Sequence, residues 1–146
     1  MRIRAARRDD FEDVARLLEE LGRPAVTAQT EDDCRAVYEK QIFDPDAHHI
    51  VAEDEHGVMA FASVHFRPRL NHPTEEVWVP DLIVTENARR RGIGRALLEE
   101  VEQRARDRGC HMFQLESAYF RAEAHHLYRQ FKMRDLGKAF YKAISR

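Results

Sequence analysis

Apolar positions recur along the chain with two periods. Met1–Arg7 sets Ile3 and Ala5 against Arg2 and Arg4, the alternation of a short strand. Phe11, Val14, Ala15, Leu18 and Leu21 then fall three and four apart, which predicts a helix opened by Asp9 or Asp10 and stopped at Gly22. A weaker stripe of Cys34, Val37, Tyr38 and Ile42 predicts a second helix from Thr30 to about Phe43. His49–Glu53 and Val58–Phe66 flank Asp54-Glu55-His56-Gly57 and predict a hairpin. Arg67–Thr74 carries two prolines and an asparagine and predicts a loop. Glu76–Val84 predicts a strand, with Pro80 in its middle. A proline donates nothing to a ladder, so an edge, a bulge or a local opening is expected there. Ile93, Leu97, Leu98, Val101 and Ala105 mark a helix over Gly92–Arg108, closed by Gly109. On its exposed face, Glu100 with Arg104 and Glu102 with Arg106 are well-oriented pairs. A strand over His111–Ser117, a helix over Ala122–Phe131 and one or two short strands between Met133 and Ile144 complete the pattern. The order β-α-α-β-β-β-α-β-α-β is mixed α/β, with a strand–helix–strand unit near residues 76–117.

Composition narrows the classes. The 146 residues fit one domain, spanning 1–146, large enough to bury a core without disulfides or metal. The 24 basic and 26 acidic residues leave a net charge of −2, so a nucleic-acid or anionic-membrane partner is not expected. No run approaches the apolar length of a membrane span, and Met1–Asp10 lacks the apolar core of a signal peptide. The expected compartment is therefore cytoplasmic. Cys34 and Cys110 lack Cys-x-x-Cys spacing and are expected as reduced thiols. The eight histidines show no metal-binding spacing, and no metal is expected.

The chemistry concentrates behind Val84. Five residues on comes Arg89-Arg90-Arg91-Gly92-Ile93-Gly94-Arg95, opening the strongest helix of the chain. Helix N-termini carry unpaired N–H groups and partial positive charge. Glycines there let an anion approach the backbone, and arginines add bidentate contacts to phosphate oxygens. The residues alone predict a pyrophosphate cradle. A dinucleotide fingerprint would need glycine or alanine where Leu97 stands. A triphosphate loop would need Lys-Ser/Thr where Arg95-Ala96 stands.

Arg89-x-x-Gly92-x-Gly94 after a strand resembles the acetyl-CoA signature of the GNAT superfamily of N-acetyltransferases, Gln/Arg-x-x-Gly-x-Gly/Ala. The order of elements and the late Ala124-x-x-x-Tyr128 helix extend the resemblance over most of the chain. It implies a mixed, mostly antiparallel central sheet with a splayed parallel strand pair and helices on both faces. It implies acetyl-CoA as co-substrate, with Leu82, Ile83 and Val84 along the pantetheine arm. Arg89, Arg90, Arg91, Gly92, Ile93, Gly94 and Arg95 would sit at the pyrophosphate. Tyr128 would be the acid that protonates the departing thiolate, and a backbone N–H near Leu82 or Ile83 the oxyanion donor. Pro80 stands where many relatives carry a glutamate, so the base is open among Asp81, Glu116, His65 and Glu53, with Asp81 set beside Tyr128 as catalytic.

The run Arg121-x-x-Ala124-His125-x-x-Tyr128 is similar to small-molecule GNATs, including aminoalkylphosphonate and aminoglycoside acetyltransferases. Lys132-Met133 replaces the family's Gly-Phe. The resulting expectation is direct acetyl transfer to a primary amine of a small molecule, by a protein that relatives suggest is a homodimer. A non-catalytic acyl-CoA-binding regulatory module and a peptide or protein amine acetyltransferase stand as alternatives.

Overall fold

The structure is a computed structural model and describes residues 1–117 and 122–145. Among the described residues seven strands run in the order β1 (Arg2–Ala5), β2 (Ile50–Asp54), β3 (Gly57–Ala62), β4 (His65–Arg67), β5 (Glu76–Val79), β6 (Leu82–Val84) and β7 (Met112–Leu115). Four α-helices, α1 (Phe11–Leu21), α2 (Glu31–Ile42), α3 (Ile93–Arg108) and α4 (Ala122–Gln130), interleave with them. The strands form two sheets, β1-β2-β3-β6 and β4-β5-β7. Every pair is antiparallel except β5–β7. This is the mixed, mostly antiparallel architecture with one parallel pair that the sequence predicts.

Each of the two long predicted strands is broken in two. Val58–Phe66 divides at Ser63-Val64, and Glu76–Val84 divides at Pro80-Asp81. The two breaks lie opposite one another and are stitched together. Ser63 N–H donates to the Asp81 carbonyl at 2.9 Å. Asp81 N–H donates to Ser63 Oγ at 3.0 Å, and Ser63 Oγ–H to Asp81 Oδ2 at 2.8 Å. The proline withholds its donor, and serine and aspartate side chains replace the missing rungs.

Alternation along the strands feeds two cores. Ile50, Ala52, Ala60 and Ala62 face α3 with Ile93, Leu97 and Val101, while Val51, Phe61 and Ile83 face α1 and α2 with Phe11, Val14, Leu17 and Tyr38. Leu17, Leu97 and Leu98 are fully buried, and each such side chain contributes about 1.5–3 kcal/mol. In the second sheet Phe66, Val77 and Val79 join the α3 core. Their neighbours His65, Arg67, Glu76 and Trp78 therefore lie on the opposite face.

Two expectations need correction. Asp10 precedes α1 but does not cap it; its carboxylate accepts from Arg4 and from Arg7 N–H. Between Met133 and Ile144 no strand forms. Asp135 Oδ1 accepts from Gly137 N–H at 3.4 Å, and Leu136, Phe140 and Ile144 stand exposed.

Candidate active site

The arginine–glycine segment predicted as a cradle lies where β6 hands over to α3. Gly92 is the N-cap of α3 at φ 78°, and Arg90 also takes a left-handed conformation at φ 65°. Among the described residues no side chain caps this end, and its first turn contains no acidic residue. α1 and α2, by contrast, both open with acids. The uncompensated N–H groups of α3 suit an anion.

Each arginine of the motif holds a carboxylate. Arg90 bonds Glu123 at 2.9 Å, Arg95 bonds Glu99 at 3.1 Å, Arg89 lies 3.5 Å from Glu20 and Arg91 lies 3.6 Å from Asp54. These are solvent-facing pairs, weak in water and readily exchanged for a phosphate. Glu20 does more. It accepts from Thr85 Oγ1 at 2.9 Å and from Glu86 N–H at 2.8 Å, fastening the turn after β6 onto α1. No motif marks Glu20; only the fold brings it 65 residues across the sequence to Thr85.

β6 pairs with β3 on one side and is otherwise an edge of its sheet. Asp81 carbonyl and Thr85 N–H both bond to the β3 side, to Ser63 and Met59. Alternate residues of an antiparallel strand point their backbone groups to opposite sides. Leu82 and Val84 therefore aim theirs at the free edge, and Val84 carbonyl accepts there from Arg89 Nε at 3.1 Å. Ile83 turns its backbone to β3 and buries its side chain at 4% exposure. On the other side of the opening, β7 follows β5 up to Leu115, and Glu116 N–H to Val79 carbonyl, at 3.3 Å, is the last rung. Among the described residues no rung follows it, and β6 pairs only with β3.

α4 lies over the cradle. Glu123 reaches Arg90, Leu127 packs on Gly94 and Phe131 lies under Arg95 with 5.5 Å from guanidinium to ring centre. A Cβ on Gly94 would come within 3.0 Å of Leu127 Cδ2 and would push that side chain aside by a few tenths of an ångström. The same helix carries half-buried Tyr128, tilted against His125. Arg121 lies outside the described residues.

The four candidate bases separate. Asp81 spends one carboxylate oxygen on Arg23 Nε at 2.8 Å and the other on Ser63. Glu53 is bonded to Arg4 on the β1–β2 edge, away from the opening. His65 lies between His49 and Trp78, with ring centres 4.9 and 5.2 Å away. Burial pushes its pKa below the ordinary imidazole value, although Asp81 pulls the other way. Glu116 stands at the mouth of the opening and accepts from Trp78 Nε1 and from Tyr141 Oη, each at 3.0 Å. Tyr141 was not singled out by the sequence.

The acetyltransferase (GNAT) family pattern matches residues 11–133, which takes in the cradle, the opening and Tyr128. The chain belongs to the acetyltransferase (GNAT) family. Solved structures from distant sources share its fold. It is 22% identical to a transcriptional regulator from Bacillus halodurans C-125, covering 98% of this chain and 99% of that one at TM-score 0.85. It is 19% identical to glucosamine-6-phosphate N-acetyltransferase from Arabidopsis thaliana, covering 99% and 98% at TM-score 0.83. It is 17% identical to an aminoglycoside antibiotic 6'-N-acetyltransferase from Acinetobacter haemolyticus, covering 100% and 99% at TM-score 0.78. No curated protein sequence matches it significantly. Among the described residues no helix is long and apolar enough to cross a membrane.

Proposed function

We propose that this GNAT acetyltransferase moves the acetyl group of acetyl-CoA directly onto a primary amine of a small molecule. The observation that carries the reading is the uncapped, arginine-flanked start of α3, set beside the free edge of β6. The diphosphate would take the N–H groups of residues 92–95, with Arg89, Arg90, Arg91 and Arg95 exchanging their carboxylates for its oxygens. The pantetheine arm would add to β6 as an extra strand through the outward groups of Leu82 and Val84. Ile83 would contribute by holding that edge on the α1 core.

The thioester would then lie at the mouth of the opening. Leu82 N–H is the outward donor there and suits the oxyanion of the tetrahedral intermediate. Tyr128 would protonate the departing thiolate. Both cysteines argue against an acyl-enzyme: Cys34 packs in the α1–α2 core, and Cys110 lies beyond α3 with its pKa raised by burial. Asp81 would act by keeping the strands parted, since Arg23 and Ser63 hold both its oxygens.

The test pairs calorimetry of CoA binding with thiol release from acetyl-CoA over a panel of primary amines, including small cationic amines, aminoalkylphosphonates, aminosugars and a peptide α-amine. Binding with turnover on a small amine is the expected result. Absence of binding would overturn the reading. Binding without turnover on any amine would favour a regulatory acyl-CoA sensor, a reading supported by the structural neighbour described as a transcriptional regulator.

A further inference from the structure

Lysine is nearly absent from the body of this chain. Of its 24 basic side chains 20 are arginines, and the lysines are Lys40, Lys132, Lys138 and Lys142. Three of these four follow α4, which ends at Gln130. The two residue types differ in chemistry. A guanidinium stays protonated and offers no lone pair, whereas an ammonium can release a proton and become a nucleophile. The side chains that an acetyl group could modify are thus concentrated in the C-terminal tail. Residues 134–145 of that tail are exposed throughout, Phe140 at 89% and Ile144 at 92%. Tyr141 ties the tail to the body. Its Oη–H donates to Glu116 Oε2 at 3.0 Å, beside the last β5–β7 rung. Glu116 pushes the phenol pKa up, and the charge of Arg23 opposes it. Arg23 is itself bonded to Asp81 at 2.8 Å and to the Pro80 carbonyl at 2.9 Å, at the break between β5 and β6. At residue 141 the tail therefore runs past both margins of the opening.

We propose that Lys142 is a self-acetylation site, modified by the active site of its own chain. The inference rests on the acetyltransferase reading above. Lys142 follows Tyr141 directly, so its Cα lies about 3.8 Å from that of the residue at the opening. Its flexible four-carbon stem lets the amine swing towards the thioester. Lys138 and Lys132 stand three and nine residues before Tyr141. Tethering holds the Lys142 amine at an effective concentration on the order of millimolar, whatever the concentration of free amines. The Lys142 ammonium gives one proton to water. The amine lone pair forms the C–N bond to the thioester carbonyl carbon, and the carbonyl π pair moves to oxygen. Collapse of that oxyanion breaks the C–S bond, and the thiolate takes the Tyr128 proton. The amide nitrogen returns its surplus proton to the Tyr128 oxygen. Acetyl-CoA and the Lys142 ammonium thus give acetyl-lysine, CoA thiol and one proton. The product has lost the lysine charge and its nucleophile, so each chain reacts there once.

The full chain is incubated with acetyl-CoA carrying 13C in its acetyl group, and each lysine is followed by peptide mass spectrometry. Lys40, exposed on α2, reads the uncatalysed background. Lys142 is expected to gain the label at least about tenfold faster than Lys40. The rate constant should be independent of protein concentration, because the tail reaches its own site, and excess CoA should suppress it. Lys142→Arg keeps the charge and should remove the mark while CoA affinity and turnover of free amines hold. Equal rates at Lys142 and Lys40 overturn the proposal. So does labelling of Lys138 or Lys132 in place of Lys142, or a rate constant that rises in proportion to protein concentration. Thiol release on the amine panel separates the two readings. Turnover of free amines with Lys142 unlabelled overturns this inference alone, whereas a chain that neither binds CoA nor releases thiol overturns both.

Discussion

Tyr128 and Asp81 show how residue type and residue placement divide the chemistry. A phenol titrates near pH 10, so at neutral pH it holds a proton that a nascent thiolate can take. Replacing Tyr128 by Phe should lower turnover on the order of a hundredfold and leave acetyl-CoA affinity nearly intact, as read by thiol release and calorimetry. Equal rates for the two proteins would remove the phenol from the mechanism. Asp81 has the right chemistry for a base, yet its oxygens are committed to Arg23 and Ser63. The sequence offers four candidate proton acceptors of similar chemistry, and only their hydrogen-bond partners tell them apart. Trp78 and Tyr141 lie 38 and 25 residues from Glu116, separations that no local pattern encodes.

At the scale of elements, α3 is the part most legible in the chain. Its buried stripe, its closing Gly109 and its arginine-glycine start are all local signals, and the helix forms over Ile93–Arg108 much as the spacing predicts. Its first turn is also where a backbone change should separate function from stability. Gly92 sits at φ 78° with nothing within 4 Å of where a Cβ would be, so Gly92→Ala meets backbone strain without a clash. The expected cost is about 1–2 kcal/mol. The N–H groups it carries would rotate with it, so the dissociation constant for CoA should rise. The same change at Gly109, the left-handed cap at the far end, should cost similar stability and leave CoA binding unchanged. Equal binding in both variants would dissociate the cradle from the cofactor. The two long strands were less legible. Pro80 announces a break, but whether it yields a bulge in one sheet or two separate sheets depends on Ser63, 18 residues away.

Across the whole molecule, charge and burial set a pH profile with two separate limbs. His49 is buried; its Nδ1 accepts from Val64 N–H at 3.0 Å, so its Nε2 carries the proton and donates to Gln41 Oε1 at 2.6 Å. Burial chiefly pushes its pKa from 6.5 to about 4. The folded state thus resists a proton that the unfolded chain accepts. Its contribution is complete above pH 6.5 and is lost as the pH falls towards about 4, by about 3 kcal/mol in all. His48 and His65 shift in the same direction, each chiefly by burial. Denaturant unfolding between pH 7 and 4 should show this slope, and His49→Gln should flatten part of it. A second limb lies at lower pH. Hydrogen bonds from Arg4 hold Asp10 and Glu53 below the ordinary carboxylate range. Their contribution is present above the unfolded values and is lost as the pH falls through the folded ones. Arg4→Met should weaken this limb and leave the histidine limb in place.

The sequence by itself determined the elements whose signals are local: the apolar stripes of α1 and α3, the β2–β3 hairpin, the glycines and arginines of the cradle, and hence the family. Those features are written within a few residues of one another, where helix period, turn chemistry and backbone freedom act. The tertiary structure decided what needed distant partners. It parted the strands through Ser63 and Asp81, placed Glu20 under the turn after β6, and set Trp78 and Tyr141 around Glu116. It also left the segment after α4 without the expected strands. A strand is stabilised by the ladder it joins, and its partner is not written in its own alternation. Hydrogen-bond satisfaction across the fold, rather than propensity along the chain, made that choice.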